Sequence, residues 1–549
     1  MNSIRPVAAI LIWMMPLVGN PQNSETPLKS HAELTNYEET SRYEDVLRFF
    51  NDLQQRTSLM RLENFGLSGK GRPLPLAILS APAIAQSREA RESGKPIVFI
   101  VANIHAGEVE GKEAVQHLAR RLVEGDLRPL LNKLIILLAP IYNPDGNELI
   151  GLTNRVAQNG PIAGVGKREN AQGLDLNRDF IKLEAPETQS LVRLLNLWDP
   201  HVMVDLHTTD GSYHGYHLTY LIPTNPSFDS GLAEYHRNKL MPALDKVLLK
   251  RGFRTYYYGN FEERGSESSK PNERAWFTFS PQPRVGVNYF GFRNRLGVIS
   301  EAYSYLDFRR RVEVTEVFVE EIFKYAAANG AEIRKLTRRA DLEAIQRGGA
   351  NPPPEIGVEY KPKALPKPVN ILVGKVKKVK NPRSGRQMTA MIEDEANPEK
   401  MLDYGMFETT RSIPTGSAYL FPREKGLEIV LEKLRVHGIT VEELTAPAKL
   451  EVRVFHIEDV KLNKEKSQGH REVTLKGAYE DKTMEFSSGT LLVRQAQPLG
   501  LLAAYLLEPE SEDGLVTWNF FDSYLEPHKN FPICKLMRNV NLSSRVLEP

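Results

Sequence analysis

Cysteine is almost missing: Cys534 stands alone among 549 residues. That excludes a disulfide framework within the chain and any thiolate zinc cluster, so a metal site must be built from imidazoles and carboxylates. The 12 histidines make such a site feasible. A charge excess of either sign is also missing. Lys and Arg total 71 against 69 for Asp and Glu, a net charge of +2, which supplies no electrostatic drive toward nucleic acid or an anionic surface. There is no internal repeat, no long low-complexity tract and, beyond residue 22, no apolar run that reads as a membrane span.

What is present is length and apolar content. With 549 residues and 41% hydrophobic side chains, the chain buries a large core and predicts two or three folding units. It opens with Arg5 and an apolar stretch that contains Ile10, Leu11, Ile12, Trp13, Met14 and Met15, followed at once by polar residues. Residues 1–22 therefore read as a cleaved signal peptide, predicting a secreted or periplasmic protein with no transmembrane segment after its removal. An uncleaved interfacial anchor is the alternative.

Residues 30–346 alternate short β-branched runs with amphipathic helical stretches, which predicts an α/β domain whose mixed sheet is flanked by helices. The clearest strands are the apolar runs 96–103, 133–141, 201–206 and 297–300. Three of these end beside His105, His207 and Glu301, and open α/β sheets bind ligands beyond the carboxyl ends of their strands. A helical region follows over 313–346, interrupted near Gly330. Residues 347–369, with Pro352, Pro353, Pro354, Pro362, Pro366 and Pro368, read as an extended Pro-rich linker. Residues 370–549 read as a separate C-terminal β-rich module with one helix at 426–437; its His456 and Asp459 are read as a solvated strand face.

His105 and Glu108 form the one His-x-x-Glu in the chain. By itself the pair also describes a turn histidine followed by a helix-start glutamate. Its setting is more telling: a strand leads in, Gly107 permits a tight turn, and 111–124 reads as a helix, so both side chains can converge at the sheet edge. His207 supplies a third ligand candidate, and two histidines with one glutamate are a catalytic zinc set that leaves a coordination position open. Asp205, by strand alternation, is expected to face away from the site. The segment 143–146 (Asn-Pro-Asp-Gly) is a turn signal that needs no function. In 173–180, Asn177 and Arg178 sit in a glycine-started loop; Arg is the side chain best shaped to hold a carboxylate through two parallel hydrogen bonds, although a surface salt bridge would use it equally.

Taken in order, His105-x-x-Glu108, the 143–146 turn, Asp175-Leu176-Asn177-Arg178, Asp205-Leu206-His207 and Ile299-Ser300-Glu301-Ala302 resemble the zinc metallocarboxypeptidases of the carboxypeptidase A type. The resemblance runs over roughly 37–342 and leaves the C-terminal region uncovered. It implies one Zn2+ per chain on His105, Glu108 and His207, Glu301 as catalytic base, and Asn177 and Arg178 holding the free C-terminal carboxylate of a peptide substrate. It implies Arg168 as the residue polarising the scissile carbonyl, with Arg155 the competing candidate. The family's mobile tyrosine finds no clear counterpart; Tyr289 is the nearest phenol, close enough to Glu301 that a place in the specificity pocket is the other reading. A zinc-dependent amidase or cell-wall peptidase would use the same metal chemistry. A binding protein that has lost catalysis would not be expected to retain all three ligands and Glu301.

Overall fold

The computed structural model describes residues 27–264 and 273–547. The signal expected over residues 1–22 lies outside them. No helix among the described residues is long and apolar enough to cross a membrane.

Among the described residues, ten strands precede a long helix at Phe308–Gly348: β1 (Met60–Leu67), β2 (Pro73–Leu79), β3 (Ile97–Ala102), β4 (Ile135–Ala139), β5 (Val202–Thr209), β6 (Leu218–Leu221), β7 (Thr255–Tyr257), β8 (Asn260–Arg264), β9 (Glu273–Phe277) and β10 (Leu296–Tyr303). Eight of them form one sheet in the order β1-β2-β4-β3-β5-β10-β6-β7. Its centre, β4-β3-β5-β10, is parallel, and β2 and β6 join it antiparallel on either side, so the sheet is mixed as the sequence predicts.

Strands β3 and β4 are buried at every position. Their unbroken apolar sequence is what a strand covered on both faces requires. One face, through Val98, Ile100, Leu138 and Val204, packs against the helices Tyr43–Gln55 and Glu110–Glu124 and the first half of Phe308–Gly348. The other, through Phe99, Val101, Leu137 and Met203, packs against Pro186–Trp198 and Gly286–Phe292 and continues into the C-terminal region at Leu502, Tyr505 and Trp518. The long helix leaves helical geometry at Asn329, beside the interruption expected near Gly330. A Cβ at Gly330 would lie 2.9 Å from the Pro96 ring, so the absence of a side chain there lets the helix cross the start of β3 closely.

The C-terminal region adds β11 (Glu355–Lys363), β12 (Val369–Lys380), β13 (Gln387–Tyr404), β14 (Met406–Pro414), β15 (Ala418–Phe421), β16 (Glu442–Leu444), β17 (Ala448–Leu462), β18 (Val473–Phe486), β19 (Leu491–Arg494), β20 (Asn530–Leu536) and β21 (Ser544–Val546). Seven of these form their own sheet, β18-β17-β20-β15-β19-β16-β21, packed with the helix Glu428–His437. The stretch 347–369 differs from the linker expected there, because it includes β11, paired antiparallel with β14. Among the described residues β11 has no second partner, and a strand with one open edge accepts Pro362 without losing a ladder bond. The two regions also share a sheet: β13 pairs in parallel with β9, giving the order β12-β13-β9-β8.

Candidate active site

The site grows from three neighbouring chain segments at the carboxyl ends of β3, β5 and β10. After β3, Asn103 adopts φ +65° and its side-chain amide donates to the carbonyls of Ala106 and Glu108, closing the turn that carries His105 and Glu108. The helix Glu110–Glu124 then starts directly against β5, where a Cβ on Gly111 would lie 2.6 Å from Leu206 Cβ. β5 and β10 run longer than their apolar runs suggest, so His207 and Glu301 lie within the strands and stand opposite each other in the parallel register. Polarity hid these ends: the ladder continues where the side chains turn from core to cavity.

His105, Glu108 and His207 are buried and converge. His105 Nδ1 lies 3.0 Å from Glu108 Oε1, His207 Nδ1 lies 2.9 Å from Glu108 Oε2, and the two Nδ1 atoms are 3.2 Å apart. Behind each imidazole stands a second carboxylate. His105 Nε2 is 2.9 Å from Asp175 Oδ1, and His207 Nε2 is 2.8 Å from Asp205 Oδ2. With each Nε2–H given to a carboxylate, both Nδ1 atoms and the Glu108 oxygens face one another as acceptors, an arrangement that calls for a positive charge among them. Burial disfavours a charged imidazole, yet Asp205 and Glu108 together raise the His207 pKa well above its ordinary value. Burial likewise opposes ionisation of Glu108, and His105, Arg155 and His207 outweigh it and hold that carboxyl well below its usual range. The donor set and its spacing fit Zn2+, which takes His nitrogen and carboxylate oxygen ligands in tetrahedral sites.

These residues open onto a cavity of about 350 Å3 that is also lined by Arg155, Arg168, Asn177, Arg178, Tyr258 and Glu301. Burial pushes the Glu301 pKa up to about 8, with His207 opposing and Glu108 and Asp205 adding to the rise. Arg168 is pinned by Asp175, whose Oδ2 accepts from Nε at 3.0 Å and from Nη2 at 2.8 Å. Arg155, at φ +47°, donates to Glu108 and lies across Gly107, where a Cβ would come within 2.9 Å of its side chain. Arg178 contrasts with both. Its guanidinium bonds the Asn177 carbonyl at 2.7 Å and lies 4.9 Å from the Phe279 ring centroid, and among the described residues it forms no salt bridge. Past it the wall is apolar, formed by Leu221, Phe279, Val285 and Ile299.

Two sequence expectations need correction. Tyr289 does not line the cavity: it is fully buried, and its hydroxyl donates to His437 Nδ1 at 2.8 Å. The phenol at the cavity is Tyr258, whose pKa burial raises to about 12, with a further push from Glu301. Asp205 does not face away, because residues two apart on a strand share a face, so the alternation that points His207 into the site points Asp205 there too. Asp175 was visible in its motif, but its bond to His105 across 70 positions was not. The 143–146 turn ties two site segments together, since Asn143 Nδ2 donates to the carbonyls of Ile104 and Arg168.

Residues 46–238 match the zinc carboxypeptidase family model. Carboxypeptidase 2 of Trichophyton rubrum is 24% identical over 506 residues, spanning 87% of this chain and 84% of that protein. Carboxypeptidase D of Mus musculus is 35% identical over 137 residues, which is 22% of this chain and 10% of that one. Among solved structures, a metallo-carboxypeptidase from Burkholderia cenocepacia aligns over 53% of this chain and 70% of its own, at 18% identity and a TM-score of 0.39. Residues 46–238 are thus a zinc carboxypeptidase domain, a domain of peptide hydrolases, and the sequence likeness to carboxypeptidase 2 runs over most of the chain.

Proposed function

We propose that the chain removes C-terminal residues from peptides, with His105, Glu108 and His207 holding one zinc ion, Glu301 acting as general base and Arg178 receiving the substrate's terminal carboxylate. The observation that carries this reading is Arg178: a guanidinium that forms no salt bridge among the described residues, in the cavity that also holds Glu301 and the three converging ligand atoms. Such a group is poorly satisfied until a carboxylate arrives, and planar guanidinium binds one through two parallel bonds. Zinc bound there would polarise a water molecule and the scissile carbonyl.

The chain's own residues do the rest. Arg178, with the Asn177 amide beside it, holds the terminal carboxylate so that the last peptide bond lies between Glu301 and Arg168. Glu301, whose raised pKa suits proton exchange near neutrality, takes the proton from the attacking water. Arg168, fixed along one edge by Asp175, donates its remaining N–H to the developing oxyanion. Glu301 then returns the proton to the departing amine. Tyr258 lines the same cavity, and the apolar wall beyond Arg178 receives the side chain of the released residue.

Glu301→Gln keeps shape and reach but cannot accept a proton. Turnover of a peptide with a free C-terminus should fall by about 100-fold to 10,000-fold while zinc content stays at about one per chain. An active Glu301→Gln protein would overturn the mechanism. Equal cleavage of one peptide in free and amidated forms would favour the amidase reading.

A further inference from the structure

We infer that the C-terminal region is a working part of this active site: through Gln468 and Asp513 it positions the turn 175–178 that meets the substrate's carboxylate. The inference rests on the carboxypeptidase reading above and goes beyond it by giving the C-terminal region a role.

Gln468 lies in the loop between β17 and β18, at φ +52°, followed by Gly469 at φ +85°. A non-glycine residue in left-handed geometry is costly and persists where its surroundings hold it. Here Ser467 and His470 pair across the turn, and His470 Nε2 lies 2.9 Å from Glu184 Oε1 with its ring edge-on to Trp518. The outcome of that geometry is one contact. Gln468 Oε1 accepts the backbone N–H of Asp175 at 2.9 Å, across 293 positions of sequence. Asp175 is the hub of the turn: it bonds His105, accepts the backbone N–H of Asn177 at 2.9 Å and pins Arg168.

A second route starts from buried Asp513, which accepts both the backbone N–H and Nε of Arg284 at 2.7 Å. Glu472 takes Arg284 Nη1 at 2.6 Å, and the guanidinium lies 4.4 Å from the Trp518 ring centroid. Two residues on, the backbone N–H of Gly286 donates to Asn177 Oδ1 at 2.9 Å. That bond decides which way the Asn177 amide is turned, with its NH2 group toward His207 at the cavity. Both routes thus end on residues of the 175–178 turn: Gln468 directly on the Asp175 backbone, and Asp513 through the Arg284–Gly286 segment on the Asn177 amide. Gln468 and Asp513 are positioning residues; neither lines the cavity.

Gln468 is part-exposed on a loop, so its substitution tests the idea without disturbing the core. Gln468→Met keeps the side chain's length and removes the acceptor; Gln468→Glu keeps an acceptor oxygen. In the full chain, hydrogen exchange at the Asp175 amide should be about tenfold faster in Gln468→Met, with KM for a free C-terminal peptide raised about 5-fold to 10-fold and kcat within about twofold. Zinc content and melting temperature should match the parent, and Gln468→Glu should restore both exchange and KM. Unchanged exchange at Asp175, an unchanged KM, or a loss that follows zinc content or melting temperature would overturn the inference. If the parent itself cleaves free and amidated peptides equally, the carboxypeptidase reading fails, whereas the exchange comparison still reads the positioning of the turn.

Discussion

At the scale of single residues, the site is arranged in two layers, and His207 shows how they work together. Its Nδ1 faces Glu108 and its Nε2 is fixed by Asp205, which is fully buried. Asp205→Asn removes the charge that makes the imidazole a better ligand, so zinc affinity should fall by about 10-fold to 100-fold in a titration against a competing chelator. Unchanged affinity would assign Asp205 to folding alone. Tyr289 marks the other boundary. Burial depresses the His437 pKa to about 3, and the neutral ring donates to the Ile181 carbonyl at 3.3 Å and accepts from the Tyr289 hydroxyl. Tyr289→Phe should leave kcat and KM unchanged and lower stability by about 1–3 kcal/mol, since a buried acceptor loses its partner. Steady-state kinetics and denaturant unfolding on one sample check both halves. The His105-x-x-Glu108 pair and the Asn177-Arg178 pair were legible because each lies within a few positions of sequence. The bonds from His105 to Asp175 and from Tyr289 to His437 span 70 and 148 positions, and no local pattern encodes them.

At the scale of elements, the distance between the helix Glu110–Glu124 and β5 sets the distance between Glu108 and His207. Gly111 controls it, because an added Cβ would meet Leu206 Cβ at 2.6 Å with backbone close behind. Gly111→Ala should push the helix from the strand, destabilise the fold by about 1–3 kcal/mol and weaken zinc binding with it. Melting with and without added zinc reads both: a variant with parental stability and affinity would show that the helix start can shift freely. The strands themselves were legible from their apolar runs, but their ends were not. β5 extends to Thr209 and β10 to Tyr303, past the point where side chains become polar, because backbone pairing between the two strands continues beneath a polar cavity.

At the scale of the whole molecule, the catalytic sheet and the C-terminal region share one hydrophobic core. Phe292 packs on Tyr505 with ring centroids 5.0 Å apart, and a Cβ on Gly348 would lie 2.1 Å from the Gln495 carbonyl oxygen. A chain ended at Gly348 would uncover the face lined by Phe290, Phe292, Leu191 and Leu195. It should bind a hydrophobic dye strongly and lose cooperative melting. A truncated protein that melts cooperatively and retains zinc would show that the first region stands alone.

Fold class and the candidate ligand set were readable from the sequence, because both depend on short-range pattern: ligand types within a motif, apolar runs long enough to be strands, helices alternating with them. The near absence of cysteine and the ordered series of motifs were enough to reach a candidate carboxylate–imidazole metal site on an α/β sheet. Which carboxylate stands behind which histidine, which phenol reaches the cavity, and that β13 joins β9 while Gln468 reaches Asp175 could come only from packing. Those contacts join residues far apart in sequence, and each exists because two faces, apolar or polar, were brought together by the burial of everything between them.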